Sequence, residues 1–150
     1  MSKNPRLALD DYMPYLINRV GAALVANFTT TALARHDLSI AMWRVLAALS
    51  ANGEQRQVDI AGMISIDVST LSRLVTRLMR RGLVTRTRSK SNSREVVVQL
   101  SPKGRALVET LIPVARRLEA TAITGMAAKD LAVVKRSLRR MHGNMAGGRA

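Results

Sequence analysis

Between Gln57 and Leu100 the chain changes its apolar period once, at Gly82, and few folds accommodate what lies on either side of that change. "QVDIAGMIS" places Val58, Ile60, Ala61 and Ile64 at the spacing of a helix that ends near Ser65. After a short break, "DVSTLSRLVTRLMRRG" repeats the pattern for longer, with Val68, Leu71, Leu74, Val75 and Leu78 on one stripe. Beyond Gly82, which is placed as the residue that stops the second helix, the period falls from about 3.6 residues to about 2. "LVTRTR" and "REVVVQL" are β-branched runs on either side of the polar "SKSNS", so they read as a hairpin. A short helix, a break and a longer helix make a helix-turn-helix, and a hairpin directly after it reads as a wing. Gly62 stands where a close helix contact would want no side chain.

The flanks are helical. Leu16, Val20, Leu24 and Phe28 recur at steps of four between Asp10 and about Ala34, with Ile17, Ala23 and Ala34 widening the stripe, which predicts one long helix. Ser39 is placed to cap "IAMWRVLAALS", and Asn52-Gly53 closes that helix. Ser101 and Pro102 supply a cap and a first-turn proline for a helix carrying Leu107, Leu111, Val114, Leu118 and Ile123, with Pro113 inside it and placed to bend it. A last helix is predicted from about Ala128 to Met141, and "GNMAGGRA" reads as a frayed tail. The fold class is therefore mainly α with a small β-hairpin wing. A length of 150 residues, 47% of them apolar, suits one domain with a real core, 1–150, built as a winged lobe over about 38–104 between long helices at about 7–36 and 102–145.

Charge decides how the second helix of that motif is read. Opposite its apolar stripe stand Ser69, Arg73, Thr76, Arg77 and Arg80. Alone, such a face is as well explained by water as by a ligand. From Asp67 to Arg94, however, Arg73, Arg77, Arg80, Arg81, Arg86, Arg88, Lys90 and Arg94 are opposed by the single acid Asp67, whereas a merely solvated surface mixes its signs. The whole chain carries 24 Lys and Arg against 10 acidic residues, a net +14, which draws polyanions. Double-stranded DNA is the predicted partner. Ser69, Thr70, Ser72, Arg73 and Arg77 are the candidates for the major groove, since hydroxyls and forked guanidinium groups can meet base edges and phosphates. Arg80 and Arg81 either cap the helix or reach a phosphate, and Arg86, Arg88, Lys90 and Arg94 extend the basic surface over the wing.

Other chemistry is poorly served. The absence of cysteine removes disulfides, thiol redox sensing and thiolate metal sites. His36 and His142 lie far apart in sequence, no Gly-rich phosphate loop is present, and the carboxylates are scattered, so neither an enzyme, a metal site nor a cofactor is expected. The N-terminus lacks a signal-peptide core and no segment is apolar enough for a membrane span, which predicts a cytoplasmic chain without a membrane partner.

From Ile40 to Leu118 the chain is similar to the MarR family of winged helix-turn-helix transcriptional regulators. "NSREVVVQLSPKG" fits the family's wing signature through Arg94, Leu100, Ser101 and Gly104, with Asn92 where the family usually has Asp, and "DVSTLSRLVTRLMRRGLVTR" resembles its recognition helix and first wing strand. The resemblance implies that Arg94 enters the minor groove, that the terminal helices are dimerisation arms, and that a small lipophilic or anionic aromatic effector releases the protein from a palindromic operator. A homodimer also follows from the residues. One recognition helix contacts too few base pairs to mark a site, and Leu7, Leu9, Leu16, Val20, Leu111, Val114, Leu131, Val134 and Leu138 offer more apolar surface than a small lobe covers, unless they fold back on their own chain. Tyr12, Phe28, His36, Met42, Trp43 and Arg44 are the candidate effector pocket. The alternative function is an architectural nucleic-acid binder that uses the charge without reading bases.

Overall fold

The computed structural model describes residues 5–147. They form α1 (Met13–Thr31), α2 (Ile40–Asn52), α3 (Gln57–Met63), α4 (Val68–Arg80), β1 (Val84–Arg88), β2 (Val96–Leu100), α5 (Pro102–Ala122) and α6 (Ala128–Ala146). The mainly helical chain with one antiparallel hairpin is the predicted fold class, and it divides into two compact units, one up to Arg116 and one from Arg117. Among the described residues no helix is long and apolar enough to cross a membrane.

In the first unit the core gathers Val45, Leu46 and Leu49 of α2, Ile60 and Ala61 of α3, Leu71, Val75 and Leu78 of α4, Leu83, Val84, Val97 and Val98 around the hairpin, and Val108 and Leu111 of α5. The helices join it by their apolar stripes, except that Val58 and Val68, in the first turns of α3 and α4 and expected on those stripes, are exposed. The Ser39 side chain accepts the Met42 N–H at 3.1 Å and starts α2, and Gly53, at φ 75°, ends it. The turn between α3 and α4 passes through Ser65 in the left-handed region, at φ 59°, and the Ile66 N–H returns to the Ala61 carbonyl at 3.0 Å. In the hairpin Val84 pairs with Leu100 and Arg88 with Val96. An isolated antiparallel bridge adds Gln55 to the sheet beside Val98, with paired backbone bonds of 3.0 and 2.7 Å. The chain just before α3 is thereby tied to β2.

Several expectations are corrected. The single helix from Asp10 to Ala34 is a shorter α1 between two 3₁₀ turns, Leu9–Asp11 and Leu33–His36. Pro14 takes the first turn of α1, where its missing N–H has no helical partner to lose, and Ala32, at φ −133°, leaves the helical region. α3 ends at Met63 with Ile64 as its C-cap, close to the expected end near Ser65. A Cβ on Gly62 would meet nothing within 4 Å, so the close contact assigned to it does not exist. Leu111, taken as dimer surface, is buried in the lobe, 2% exposed. Pro113, by contrast, lies inside α5 as expected.

In the second unit the end of α5 and α6 are joined by Lys135 Nζ and Glu119 Oε1 at 2.9 Å. Val133, Val134 and Leu138 are exposed. α6 continues through Gly143 to Ala146, past the expected start of the frayed tail at Gly143, and Gly148 to Ala150 lie outside the described residues.

Candidate nucleic-acid interface

α4 is amphipathic throughout. Leu71, Leu74, Val75 and Leu78 are buried, while Ser69, Arg73, Arg77 and Arg80 are exposed on the opposite face and Ser72 and Thr76 lie half-buried beside them. The helix begins at Asp67, whose carboxylate accepts the Ser69 hydroxyl at 2.6 Å, the Thr70 hydroxyl at 2.6 Å and the Thr70 N–H at 2.8 Å. The Ser69 hydroxyl, followed by the Thr70 hydroxyl and N–H, holds this carboxyl far below the usual carboxylate range. A depressed folded-state pKa means that the cap's contribution is present above the ordinary Asp range near about 4 and is lost as pH falls through the lower folded value. Arg73 Nη2 donates to Thr70 Oγ1 at 3.3 Å.

The other predicted residues divide by partner. Arg77 and Arg80 make no ion pair among the described residues, and neither do Arg73, Arg86, Arg88, Lys90 or Arg94. Arg86 grips Gln57 Oε1 at the start of α3 through Nε at 3.1 Å and Nη2 at 2.8 Å. Arg88 Nη1 donates to the Ser93 carbonyl at 2.9 Å. Lys90 and Arg94 are exposed at the wing tip. The tip is held by neutral bonds: Ser89, 8% exposed, bonds its hydroxyl to that of Ser91 at 2.9 Å, and Asn92 Oδ1 accepts the Arg94 N–H at 3.1 Å. Asn92 therefore fixes the backbone at Arg94 without supplying a charge.

Arg81 has a different role. Its Nη1 donates to the Asp37 carbonyl at 2.7 Å, its Nη2 to the His36 carbonyl, and its own carbonyl accepts Lys103 Nζ at 3.1 Å. The residue fastens the end of α4 to the turn after α1. Arg81→Ala is accordingly expected to lower stability by about 1 kcal/mol, a typical loss for such bonds at a half-exposed site. Urea unfolding checks this, and an unchanged midpoint would reduce Arg81 to a surface charge.

None of three clefts formed by the described residues gathers the six candidate effector residues. Phe28 and Met42 are each 3% exposed, in the core, and Phe28 meets Trp43 edge to face at 5.2 Å between ring centres. Trp43 and Arg44 line a cleft of about 340 Å³ with Met63, and Arg44 also borders a cleft of about 490 Å³ along α1. Met42 underlies a separate cleft of about 610 Å³ walled by Arg77, Arg80 and Arg81. Tyr12 and His36 are exposed and border none of these three.

Sequence reasoning counted Asp67 only as the lone acid, and it assigned nothing to Arg56 or Gln57. Arg56 binds both carboxylate oxygens of Asp59, at 2.8 and 3.0 Å, and reaches Glu95 beside Arg94 at 3.5 Å. Asp67 had a readable signal, an acid just before Ser and Thr at a helix start. The pairing of Arg56 with Asp59 is local too, three residues on, while those of Arg56 with Glu95 and of Gln57 with Arg86 are long-range and leave none.

The MarR family model matches residues 38–96. The Multiple antibiotic resistance protein MarR of Salmonella typhimurium is 27% identical over 95 residues, 63% of this chain and 63% of that protein. The match thus spans less than two thirds of the length of the first curated relatives. Among solved structures, a MarR-family transcriptional regulator from Silicibacter pomeroyi is 31% identical, with a TM-score of 0.81 and 93% and 96% of the two chains covered. The Bordetella bronchiseptica protein BpsR, whose DNA binding is regulated by 6-hydroxynicotinic acid, is 29% identical, with a TM-score of 0.78 and coverage of 93% and 98%.

Proposed function

Because the chain belongs to the MarR family, we propose that it is a homodimeric, sequence-specific DNA-binding repressor acting in the cytoplasm, not an enzyme. One observation carries the reading. The exposed face of α4 and the adjoining wing present Arg73, Arg77, Arg80, Lys90 and Arg94 with no carboxylate partner among the described residues, while the acids nearby are engaged by Ser69, Thr70 and Arg56. A positive, unneutralised helix face beside a hairpin suits a major groove and its flanking minor groove.

Pairing is supported by Leu7, Leu9, Leu16 and Val20 near the N-terminus and Val134 and Leu138 in α6, all exposed in the single chain. Burying them in a second copy removes that surface from water and sets two recognition helices about a twofold axis, which suits a palindromic operator. A small anionic aromatic effector is part of the proposal. Trp43 and Arg44, adjacent on α2, offer a ring and a cation at one cleft, and BpsR is a relative regulated by a compound of that kind.

Competition binding at fixed salt tests the reading against an architectural binder. Preference for DNA from upstream of the protein's own gene, by about a thousandfold over scrambled duplex, is expected of a repressor. Equal affinities would leave only electrostatic attraction to phosphate. Arg94→Ala is expected to weaken operator binding more at A·T-rich than at G·C-rich wing flanks, because narrow A·T grooves concentrate negative potential. A uniform loss across flanks, measured by anisotropy titration, would assign Arg94 to phosphate alone.

A further inference from the structure

Two hydroxyls on the basic face already proposed to enter the major groove have committed their protons. Ser69 Oγ donates to Asp67 Oδ1 and Thr70 Oγ1 donates to Asp67 Oδ2, each at 2.6 Å. A hydroxyl has one proton and two acceptor lone pairs. With its proton held inward, the exposed Ser69 oxygen turns only lone pairs to solvent. Thr70 Oγ1, half-buried, uses one lone pair on Arg73 Nη2 at 3.3 Å and keeps the other. Among the described residues no Lys or Arg bridges to Asp67, so the hydroxyls and the Thr70 N–H are what satisfy its charge.

We propose that Asp67 sets the hydrogen-bonding polarity of the leading edge of α4, making Ser69 and Thr70 acceptors that select the exocyclic amino group of adenine or cytosine. Only those two bases present an amino donor in the major groove; guanine offers O6 and N7 and thymine offers O4. An acceptor set against those oxygens and nitrogens gains no bond and loses its water. The arginines behind the leading edge have the opposite polarity, because guanidinium groups only donate. The face is therefore divided, with acceptors at the first turn for adenine or cytosine and donors from Arg73 onward for guanine or phosphate. Asp67 acts as a positioning residue, through the two hydroxyls. The inference rests on the proposed DNA reading and names the class of base that one part of it selects.

The full-length protein, its Ser69→Ala variant and its Asp67→Asn variant would each select duplexes from a random-sequence pool. Wild type is expected to select adenine or cytosine at a position whose preference vanishes in Ser69→Ala. Removing that base's amino group, with purine for adenine or 2-pyrimidinone for cytosine, is expected to lower wild-type affinity about threefold to tenfold and to leave Ser69→Ala unaffected. Asparagine also caps helices, so Asp67→Asn keeps the helix start. Its amide has one acceptor oxygen in place of two and a donor where the second stood, so one hydroxyl must turn its proton outward. Guanine or thymine then gains about tenfold over adenine or cytosine at the position facing that hydroxyl. Melting curves establish that the variants are folded; if Asp67→Asn is not, the base-analogue measurement on wild type decides alone. A Ser69-dependent preference for guanine or thymine overturns the proposal, as do a selected sequence with no position dependent on Ser69 and an unchanged profile in folded Asp67→Asn. A wild-type protein that selects no sequence overturns the repressor reading as well, and only that outcome reaches it.

Discussion

Gly104→Ala is expected to cost about 3 kcal/mol of folding stability, at the top of the range for an added methyl group in a packed interior. A Cβ at this position would lie 2.0 Å from the Leu83 carbonyl oxygen and 2.9 Å from its carbon. These are backbone atoms, so no rotamer change relieves the clash. The Leu83 carbonyl also accepts the Ser101 N–H at 3.0 Å, and the Ser101 hydroxyl donates to the Gly82 carbonyl while accepting the Gly104 N–H at 3.0 Å. Moving α5 away from Leu83 therefore disturbs the end of α4, the start of β1 and the cap of α5 together. Urea or thermal unfolding measures the loss, with Gly62→Ala as control, since open space there predicts no penalty. A Gly104→Ala midpoint equal to wild type would mean that the first turn of α5 is free to shift.

On operator DNA, Arg77→Ala is expected to weaken specific binding by about 1 to 3 kcal/mol and to relax preference at one base position in each half-site. Arg77 lies near the middle of the exposed face, one turn from Arg73, and makes no ion pair among the described residues. Its fork is therefore free to donate two bonds to a guanine edge or to grip a phosphate. Specificity separates the two roles: loss of base contact changes the preference profile, whereas loss of phosphate contact weakens all sequences alike and flattens the salt dependence. Titrations on operator and scrambled duplexes at several salt concentrations distinguish them. An unchanged profile removes Arg77 from the readout.

What could be read in the sequence was whatever repeats. The stripe of Leu71, Leu74, Val75 and Leu78, the β-branched run of Val96 to Val98, and the caps at Ser39 and Ser101 are local patterns, and each marks its element to within a few residues. Helix ends failed where a single backbone choice prevails, at Pro14 and at Ala32. Gly62 and Gly104 look alike in a string of letters, and only packing separates the glycine that needs its missing side chain from the one that does not. The basic residues were legible as a cluster but not in their employment. Nothing in the spacing tells that Arg81 fastens helix to turn or that Arg86 is clasped by Gln57, because those pairings depend on where the chain returns in space, whereas the grip of Asp67 on Ser69 and Thr70 is local to the helix start.

The small bridge between Gln55 and Val98 has a consequence for the shape of an operator. Together with the Arg86 grip on Gln57 and the reach of Arg56 to Glu95, it ties the hairpin to the front of α3 at three places. In the proposed complex these ties act as a gauge laid along the duplex, since they hold the hairpin at a set distance from the helices. Inserting one base pair between the two contacts advances the axis by about 3.4 Å and turns it by about 35°. The gauge then meets one groove correctly and misses the other.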